Sequence, residues 1–274
     1  MNQHTVKAYG DELNQLTAEV ARMGGLAEAQ VADAVESVAR RDVALGRVVV
    51  ERDGRLDAMH RDIERKAIRL IALRQPVAGD LRVVIGALRI AASLERMGDL
   101  AEHVAKQARM RYPAPAIPQE LRGTFAEMGG IAEAIVSKTG AVIATKDVAL
   151  ATDIARHDEQ MDHLHRELFT IVLSPSWKHG VEAAIDVTLL SRFYERYADH
   201  AVSVTRRVVT IVTGEPNAGV THEERIVLLP ATQNLDGTPD LGLAPFRLRP
   251  AAAREAEGQA DLRSAREAVP PLRG

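Results

Sequence analysis

Four pairs of acidic residues in this sequence have the same spacing, with the second acid four positions after the first. The pairs are Asp53 with Asp57, Glu95 with Asp99, Asp158 with Asp162, and Glu195 with Asp199. Residues four apart on a helix lie on one face, so each pair presents two carboxylates side by side. Carboxylate oxygens are the preferred ligands of hard cations such as Mg²⁺, Mn²⁺ or iron. The eight residues are therefore predicted to bind metal ions.

The positions of the pairs support this prediction more strongly than their spacing. With 38 acidic residues in 274, about five such pairs are expected by chance. These four, however, occur at matched places in a repeated segment, described below. Like charges at this spacing destabilise a helix by roughly 0.2–0.5 kcal/mol per pair, and a bound cation would offset that cost.

Neighbouring arginines offer an alternative in which the acids belong to a helical scaffold that binds no metal. Arg96 and Arg196 each follow an acid directly, and Arg192 precedes Glu195 by three positions. In the second copy the face before Glu195 carries Thr188 and Arg192 instead of apolar residues. Salt bridges and weaker burial are therefore expected in that copy.

Two histidines lie close to the predicted ligands. His60 and His165 each follow an acid by three positions, on the same side of the helix. Imidazole would complete a zinc or iron site. Because isolated histidines on helices are mostly solvated, both side chains are expected to face solvent.

Apolar periodicity predicts the helices that position these residues. Steps of three and four predict a first helix over 9–40, a second from Asp42, a capping residue, to about Leu73, and a third over 80–110. Pro76 separates the last two helices. Three further prolines within 113–118 predict a linker, because proline cannot continue a helix.

The pattern then starts again, with helices predicted over 119–145, 147–172 and 176–212. The segments 23–25 and 42–45 recur 105 positions later, and Glu95 and Asp99 recur 100 positions later. Internal duplication explains these matches. The predicted fold is all-α, with two tandem three-helix bundles at 1–112 and 119–214, joined by the linker 113–118. Residues 215–274 hold seven of the twelve prolines and are predicted to form an irregular tail.

Composition narrows the classes of function. Cysteine is absent, no apolar run is long enough to span a bilayer, and 1–13 is polar, so a cytoplasmic protein is expected. A net charge of −3 and 3% aromatic residues argue against nucleic acid as a partner. No phosphate-binding glycine loop or catalytic motif occurs, so no enzymatic activity is expected.

Carboxylates on facing helices also build di-metal enzymes, which leaves a ferritin-like oxidase or a metal-assisted hydrolase as the alternative function. Ferritin-like sites place Glu-x-x-His on two helices of one four-helix bundle. This chain has three helices per unit and Asp-x-x-His at Asp57 and Asp162.

Three segments resemble one family: LIALRQPVAGDLR at 70–82, LERMGD at 94–99 and ERYADH at 195–200. Together with the duplication, they make the region 9–214 similar to PhoU proteins. The resemblance implies two tandem three-helix bundles that bind metal clusters through acid-x-x-x-Asp motifs, here the eight carboxylates above. The metal would be iron, manganese, magnesium or zinc. His60 and His165 replace an acid usual in the family, and His103 and Ser203 replace Asn.

The resemblance also implies a function without catalysis. PhoU proteins link a phosphate ABC transporter, through its ATPase subunit, to a sensor histidine kinase, and they restrain the phosphate-starvation response. The expected protein is thus a cytoplasmic negative regulator of phosphate homeostasis. It is expected to form a homodimer and to reach the membrane only through its partners.

Overall fold

The computed structural model describes residues 3–214, which form six α-helices and one short 3-10 turn. The predicted tail, 215–274, lies outside the described residues. The helices are α1 (Gln3–Arg40), α2 (Val43–Arg74), α3 (Ala78–Arg111), α4 (Arg122–Thr145), α5 (Leu150–Val172) and α6 (Gly180–Thr213), with the 3-10 turn Gln119–Leu121 before α4. The all-α prediction is confirmed.

Local sequence signals explain both ends of α2. Asp42 Oδ1 accepts hydrogen bonds from the backbone N–H groups of Ala44 and Leu45, at 2.9 and 3.0 Å, and so caps α2 as predicted. Gln75, at φ 48°, ends that helix in the left-handed conformation immediately before Pro76. The start of α5 was predicted three residues too early. Asp147 instead closes a turn by accepting a hydrogen bond from Ala149 N–H at 2.9 Å, and the helix begins at Leu150.

Each copy of the repeat forms a bundle in which all three helices contact one another, α1–α3 in the first and α4–α6 in the second. The buried side chains follow the predicted stripes. Leu16, Val20 and Met23 of α1 are almost completely buried, as are Met128 and Ile135 of α4. Burial of these aliphatic stripes is the main favourable contribution to folding.

The two bundles also pack against each other. Helix α1 contacts α4, and α3 contacts α6 along most of its length. The last pair is antiparallel, because Ser93, midway along α3, contacts Arg207 near the end of α6, whereas Arg111 at the end of α3 contacts Asp186 near the start of α6. Among the described residues no helix is long and apolar enough to cross a membrane.

Candidate metal centres

The first cluster of carboxylates forms where α2 packs on α3. Asp53 of α2 is half-buried, and its pKa is raised to about 6 by burial and by the negative charges of Glu102, Asp99 and Asp57. Gln30 of α1 partly offsets this by donating a hydrogen bond to Asp53 Oδ1 at 3.0 Å. The same amide group also donates to the Gly98 carbonyl at 3.2 Å. Three helices therefore position Asp53.

Glu95 and Asp99 supply the α3 side of this cluster. The pKa of Glu95 is raised by burial and then by the charge of Asp99, while Arg96 and His60 act in the opposite direction. Arg96 Nη1 donates to Asp99 Oδ2 at 2.8 Å, and its Nε lies 3.5 Å from Glu95 Oε2. The arginine named in the salt-bridge alternative thus does contact this pair.

The second cluster occupies the equivalent place between α5 and α6. Burial and the charges of Asp199 and Asp162 raise the pKa of both Asp158 and Glu195 to about 7. Arg192 Nη1 donates to Glu195 Oε1 at 2.5 Å. The other oxygen, Glu195 Oε2, is buried without a hydrogen-bond partner among residues 3–214. This carboxylate has ligand capacity that the described residues leave unused.

The duplication thus gives two clusters that match position for position. Both halves of the described region match the sequence model of the PhoU domain, over residues 20–108 and 125–208. The chain belongs to the PhoU family.

Named relatives agree with this assignment. PhoU homolog 2 of Mycobacterium tuberculosis, described as a phosphate-specific transport system accessory protein, is 44% identical over 207 residues, covering 76% of this chain and 97% of the relative. The corresponding accessory protein PhoU homolog of Caulobacter vibrioides is 40% identical over 219 residues, covering 78% and 94%.

Solved PhoU structures confirm the fold. The crystal structure of PhoU from Pseudomonas aeruginosa superimposes with a TM-score of 0.70 at 29% identity, covering 76% of this chain and all of that one. PhoU from Streptococcus pneumoniae gives a TM-score of 0.68 at 23% identity, covering 76% and 98%. The prediction of tandem three-helix bundles is confirmed.

Burial in this PhoU chain corrects one expectation. The second copy was expected to bury its acids less, because Thr188 and Arg192 precede Glu195. The Glu195 side chain is instead 12% exposed, compared with 18% for Glu95. The reason is that Arg192 is 47% exposed and reaches back from the surface to cover Glu195, so a polar residue contributes to burial here.

The histidines also differ from expectation. His165 was expected to face solvent but is only 5% exposed, packed edge-on against Phe169 with its Nδ1 3.0 Å from Ser191 Oγ. The Ser191 hydroxyl donates to the Thr188 carbonyl, so its oxygen accepts a hydrogen bond from His165 Nδ1–H. Burial lowers the pKa of His165 to about 4. His60, by contrast, is half-buried beside Glu95.

Sequence reasoning missed Glu102 and Gln30 in the first cluster. Glu102 lies three residues after Asp99 and seven after Glu95, so helical periodicity places all three on one face and could have revealed it. The second copy has Val202 at the matching position. There, the positive charge of Arg206 acts on Asp158. The two clusters therefore differ in charge although they share four acids.

The two clusters bring carboxylates close enough to shift one another's pKa, but not into a ready-made coordination sphere. Across residues 3–214, no three His, Asp or Glu side chains converge on one point where they could jointly hold a metal ion. Binding of a metal ion at either cluster would require its acidic side chains to rotate. The arginines now paired with the acids are partly exposed, 62% for Arg96 and 47% for Arg192, so their side chains can turn away into solvent.

Proposed function

We propose that this chain is a metal-binding accessory protein of a phosphate-specific transport system, acting as a regulator of phosphate homeostasis. The observation that supports metal binding best is the pair of matched carboxylate clusters, in which burial and then charge repulsion raise the pKa of Asp53, Asp158 and Glu195. Placing like charges together in a half-buried site is unfavourable unless a counter-charge binds there.

The donor atoms fit a hard cation. Each cluster offers carboxylate oxygens from two helices, and Glu195 Oε2 is buried without a hydrogen bond from the described residues. The ligands would be Asp53, Asp57, Glu95 and Asp99 in one cluster and their four counterparts in the other. Iron, manganese and magnesium suit such oxygen donors, and zinc would add His60 as a nitrogen ligand.

The regulatory part of the proposal is supported by family membership and by the names of the relatives. We infer that the chain contacts the ATPase subunit of a phosphate ABC transporter and a sensor histidine kinase, and that it restrains the phosphate-starvation response. In this proposal it acts in the cytoplasm as a homodimer and reaches the membrane only through these partners.

Catalysis by an iron-loaded cluster is the alternative, and the position of His165 argues against it. A ferritin-like site places the histidine of each Glu-x-x-His motif at the metal, and the matching residue here is the histidine of each Asp-x-x-His. His165 instead packs against Phe169 and Ser191 in the bundle interior. Oxygen consumption by the iron-loaded protein would support the oxidase alternative over a binding role.

Elemental analysis tests the metal proposal. The protein is purified without chelator, reloaded with iron, manganese, magnesium or zinc, and assayed for bound metal. Glu95→Gln with Asp99→Asn is expected to lower metal in the first cluster and leave the second loaded. Asp62→Asn is the matched control, because Asp62 lies on α2 but pairs with Arg65 and Lys66. Absence of metal above trace levels after reloading would refute the proposal.

Deletion of the gene tests the regulatory proposal. Phosphate uptake and scavenging genes are expected to be expressed in phosphate-rich medium, because the state of the transporter no longer reaches the kinase. A pull-down from membranes is expected to recover the transporter ATPase or the kinase. Normal phosphate-responsive expression without recovery of either partner would contradict the assignment.

A further inference from the structure

Three arginines line a groove between the N-terminal half of α3 and the C-terminal half of α6, away from both carboxylate clusters. The groove encloses about 360 Å³ and is lined by Arg82 and Arg89 of α3 and by Arg207 and Thr210 of α6, together with apolar side chains. Arg82 and Arg89 are two helical turns apart and therefore lie on one face of α3.

Within residues 3–214, these arginines lack carboxylate partners of the kind that Arg74, Arg96 and Arg111 have. Among the described residues none of the three forms an ion pair. Arg207 Nη1 donates to the hydroxyls of Ser93 and Ser203, at 3.2 and 2.6 Å. The pKa of Arg207 is lowered by burial and by the positive charge of Arg89. Three cations therefore share one groove without a counter-charge from the described chain.

The internal duplication shows what this groove lacks. At the opposite end of the antiparallel α3/α6 pair, Arg111 of α3 is held by Glu182 and Asp186 of α6. With the 100-residue offset, the positions that correspond to Glu182 and Asp186 are Arg82 and Gly86. One end of the interface thus has its arginine neutralised by two acids. At the other end the two acids are absent, and three arginines lie together instead.

We propose that this groove binds a phosphate group, either inorganic phosphate or a phosphate monoester. Arginine guanidinium groups bind tetrahedral oxyanions through paired N–H donors, and three of them more than neutralise the double negative charge of phosphate. The hydroxyl of Thr210 donates to the Arg206 carbonyl at 3.0 Å and so remains available as an acceptor. A protonated phosphate oxygen can donate to that acceptor, whereas sulfate, which carries no proton at neutral pH, cannot.

The neighbouring packing keeps this geometry in place. A side chain at Gly86 would collide with Ile211, so α3 and α6 approach closely at the floor of the groove. The Arg82 guanidinium lies beside Gly214, at the C-terminal end of α6. The phosphate site depends on neither the metal clusters nor the proposed transport role, since none of the eight predicted ligands lines the groove.

Isothermal titration of the full-length, chelator-treated protein tests the proposal, because removing metal eliminates phosphate binding at the carboxylate clusters. Inorganic phosphate, O-phosphoserine and sulfate are titrated at constant ionic strength. We expect saturable binding of phosphate, of phosphoserine or of both, at least about tenfold tighter than sulfate. Comparison of the first two ligands shows whether free phosphate or an ester is the better match.

Two variants replace groove arginines, at 82 and 207 by the residues at the equivalent positions of the other copy. Arg82→Glu introduces the acid that the other copy has at Glu182. The double variant Arg89→Gln with Arg207→Gln removes both arginines, and its glutamine at 207 matches Gln107. Each is expected to weaken binding at least about tenfold while circular dichroism stays unchanged. Arg47→Gln, an exposed α2 arginine without an ion pair among the described residues, is the control and should bind as the wild type does. Equal affinity for sulfate, no saturable binding of either phosphate ligand, or folded groove variants that bind normally would overturn the proposal.

Discussion

The fold opposes ionisation of Asp158 and Glu195, because burial and the neighbouring charge of Asp199 raise the pKa of each to about 7. At neutral pH the metal-free second cluster is therefore destabilised by the burial of its charges and by their mutual repulsion. A carboxyl whose pKa is higher in the folded state than in the unfolded state binds protons preferentially when folded. Its protonation stabilises the fold as the pH falls through 7 and toward the ordinary pKa near 4.

Asp158→Asn, which mimics the protonated acid, tests this pH dependence. In metal-free protein at pH 8 the variant should be more stable than the wild type by about 2 kcal/mol, and the difference should vanish near pH 4 to 5. Urea unfolding at both pH values measures it. With saturating metal the order should reverse at pH 8, because only the wild type retains all ligands. A pH-independent difference would contradict the raised pKa.

The variant has to be compared with the wild type at each pH, because His165 lowers stability as the pH falls, whereas the two carboxyl groups raise it. Its pKa is about 4 in the folded protein and near 6.5 when unfolded. The unfolded state therefore binds protons preferentially between these values, and stability falls as the pH drops through that range. Since His165 is present in both proteins, its contribution cancels in the difference.

For single residues, the sequence predicts eight candidate ligands but not what surrounds them. Spacing and repetition point to these eight carboxylates because helical geometry fixes which residues share a face. Glu102 and Gln30 were missed because neither recurs in the second copy, where Val202 and Ile135 stand at the matching positions. Burial of His165 depends on Ser191 and Phe169, and their proximity to it is a property of packing instead of local sequence.

Among the helices, the contact between α2 and α3 depends on Gly98. A Cβ atom there would lie 2.6 Å from Leu56 Cδ1 and 2.7 Å from Asp53 Oδ1. Both distances are shorter than real Cβ contacts, so the side chains of Leu56 and Asp53, or α2 itself, would have to shift away from α3. The small residue therefore lets Asp53 approach the α3 carboxylates.

Gly98→Ala is expected to destabilise the protein by about 1–2 kcal/mol, because the steric cost exceeds the gain in helix propensity. It should also weaken metal binding in the first cluster by displacing Asp53. Gly54→Ala is the matched control, since Gly54 is an exposed α2 residue with nothing within 4 Å of the added carbon. That control should stabilise the protein by about 0.5–1 kcal/mol. Chemical denaturation measures both, and stabilisation of both variants would show that α2 adapts freely.

The C-terminal ends of the six helices were predicted to within one residue, whereas the starts of α1, α4, α5 and α6 differ from the prediction by three to six residues. Both ends of α2 were predictable because the signals that set them are local. Asp42 and Pro76 act through their own backbone and side chain, and the structure places the ends of α2 beside them. The start of α5 was less predictable. Asp147 matches Asp42 in sequence, yet its side chain closes a turn before the helix begins at Leu150.

For the whole molecule, the sequence did not predict which helices of the two bundles pack against each other. Apolar periodicity shows which face of a helix is buried but not which helix covers it. The pairing of α3 with α6 is instead specified by long-range contacts. Asp186, 4% exposed, accepts hydrogen bonds from Gln107 and from Arg111 Nη2, the latter at 2.9 Å. Tyr197, buried on α6, donates to the Ala27 carbonyl of α1 at 3.3 Å.

These contacts predict that the two bundles unfold together. In differential scanning calorimetry the metal-free protein should show a single transition for the helical region, since both bundles share one buried interface. Asp186→Ala leaves Gln107 and Arg111 without their buried acceptor and should lower the Tm by about 5 °C. Glu182→Ala is the control: Glu182 contacts the same arginine but is 77% exposed, so the Tm should change by less than about 2 °C. Two separate transitions in the wild type would show that the bundles are independent, and equal effects of both substitutions would show that burial of Asp186 adds nothing to the interface.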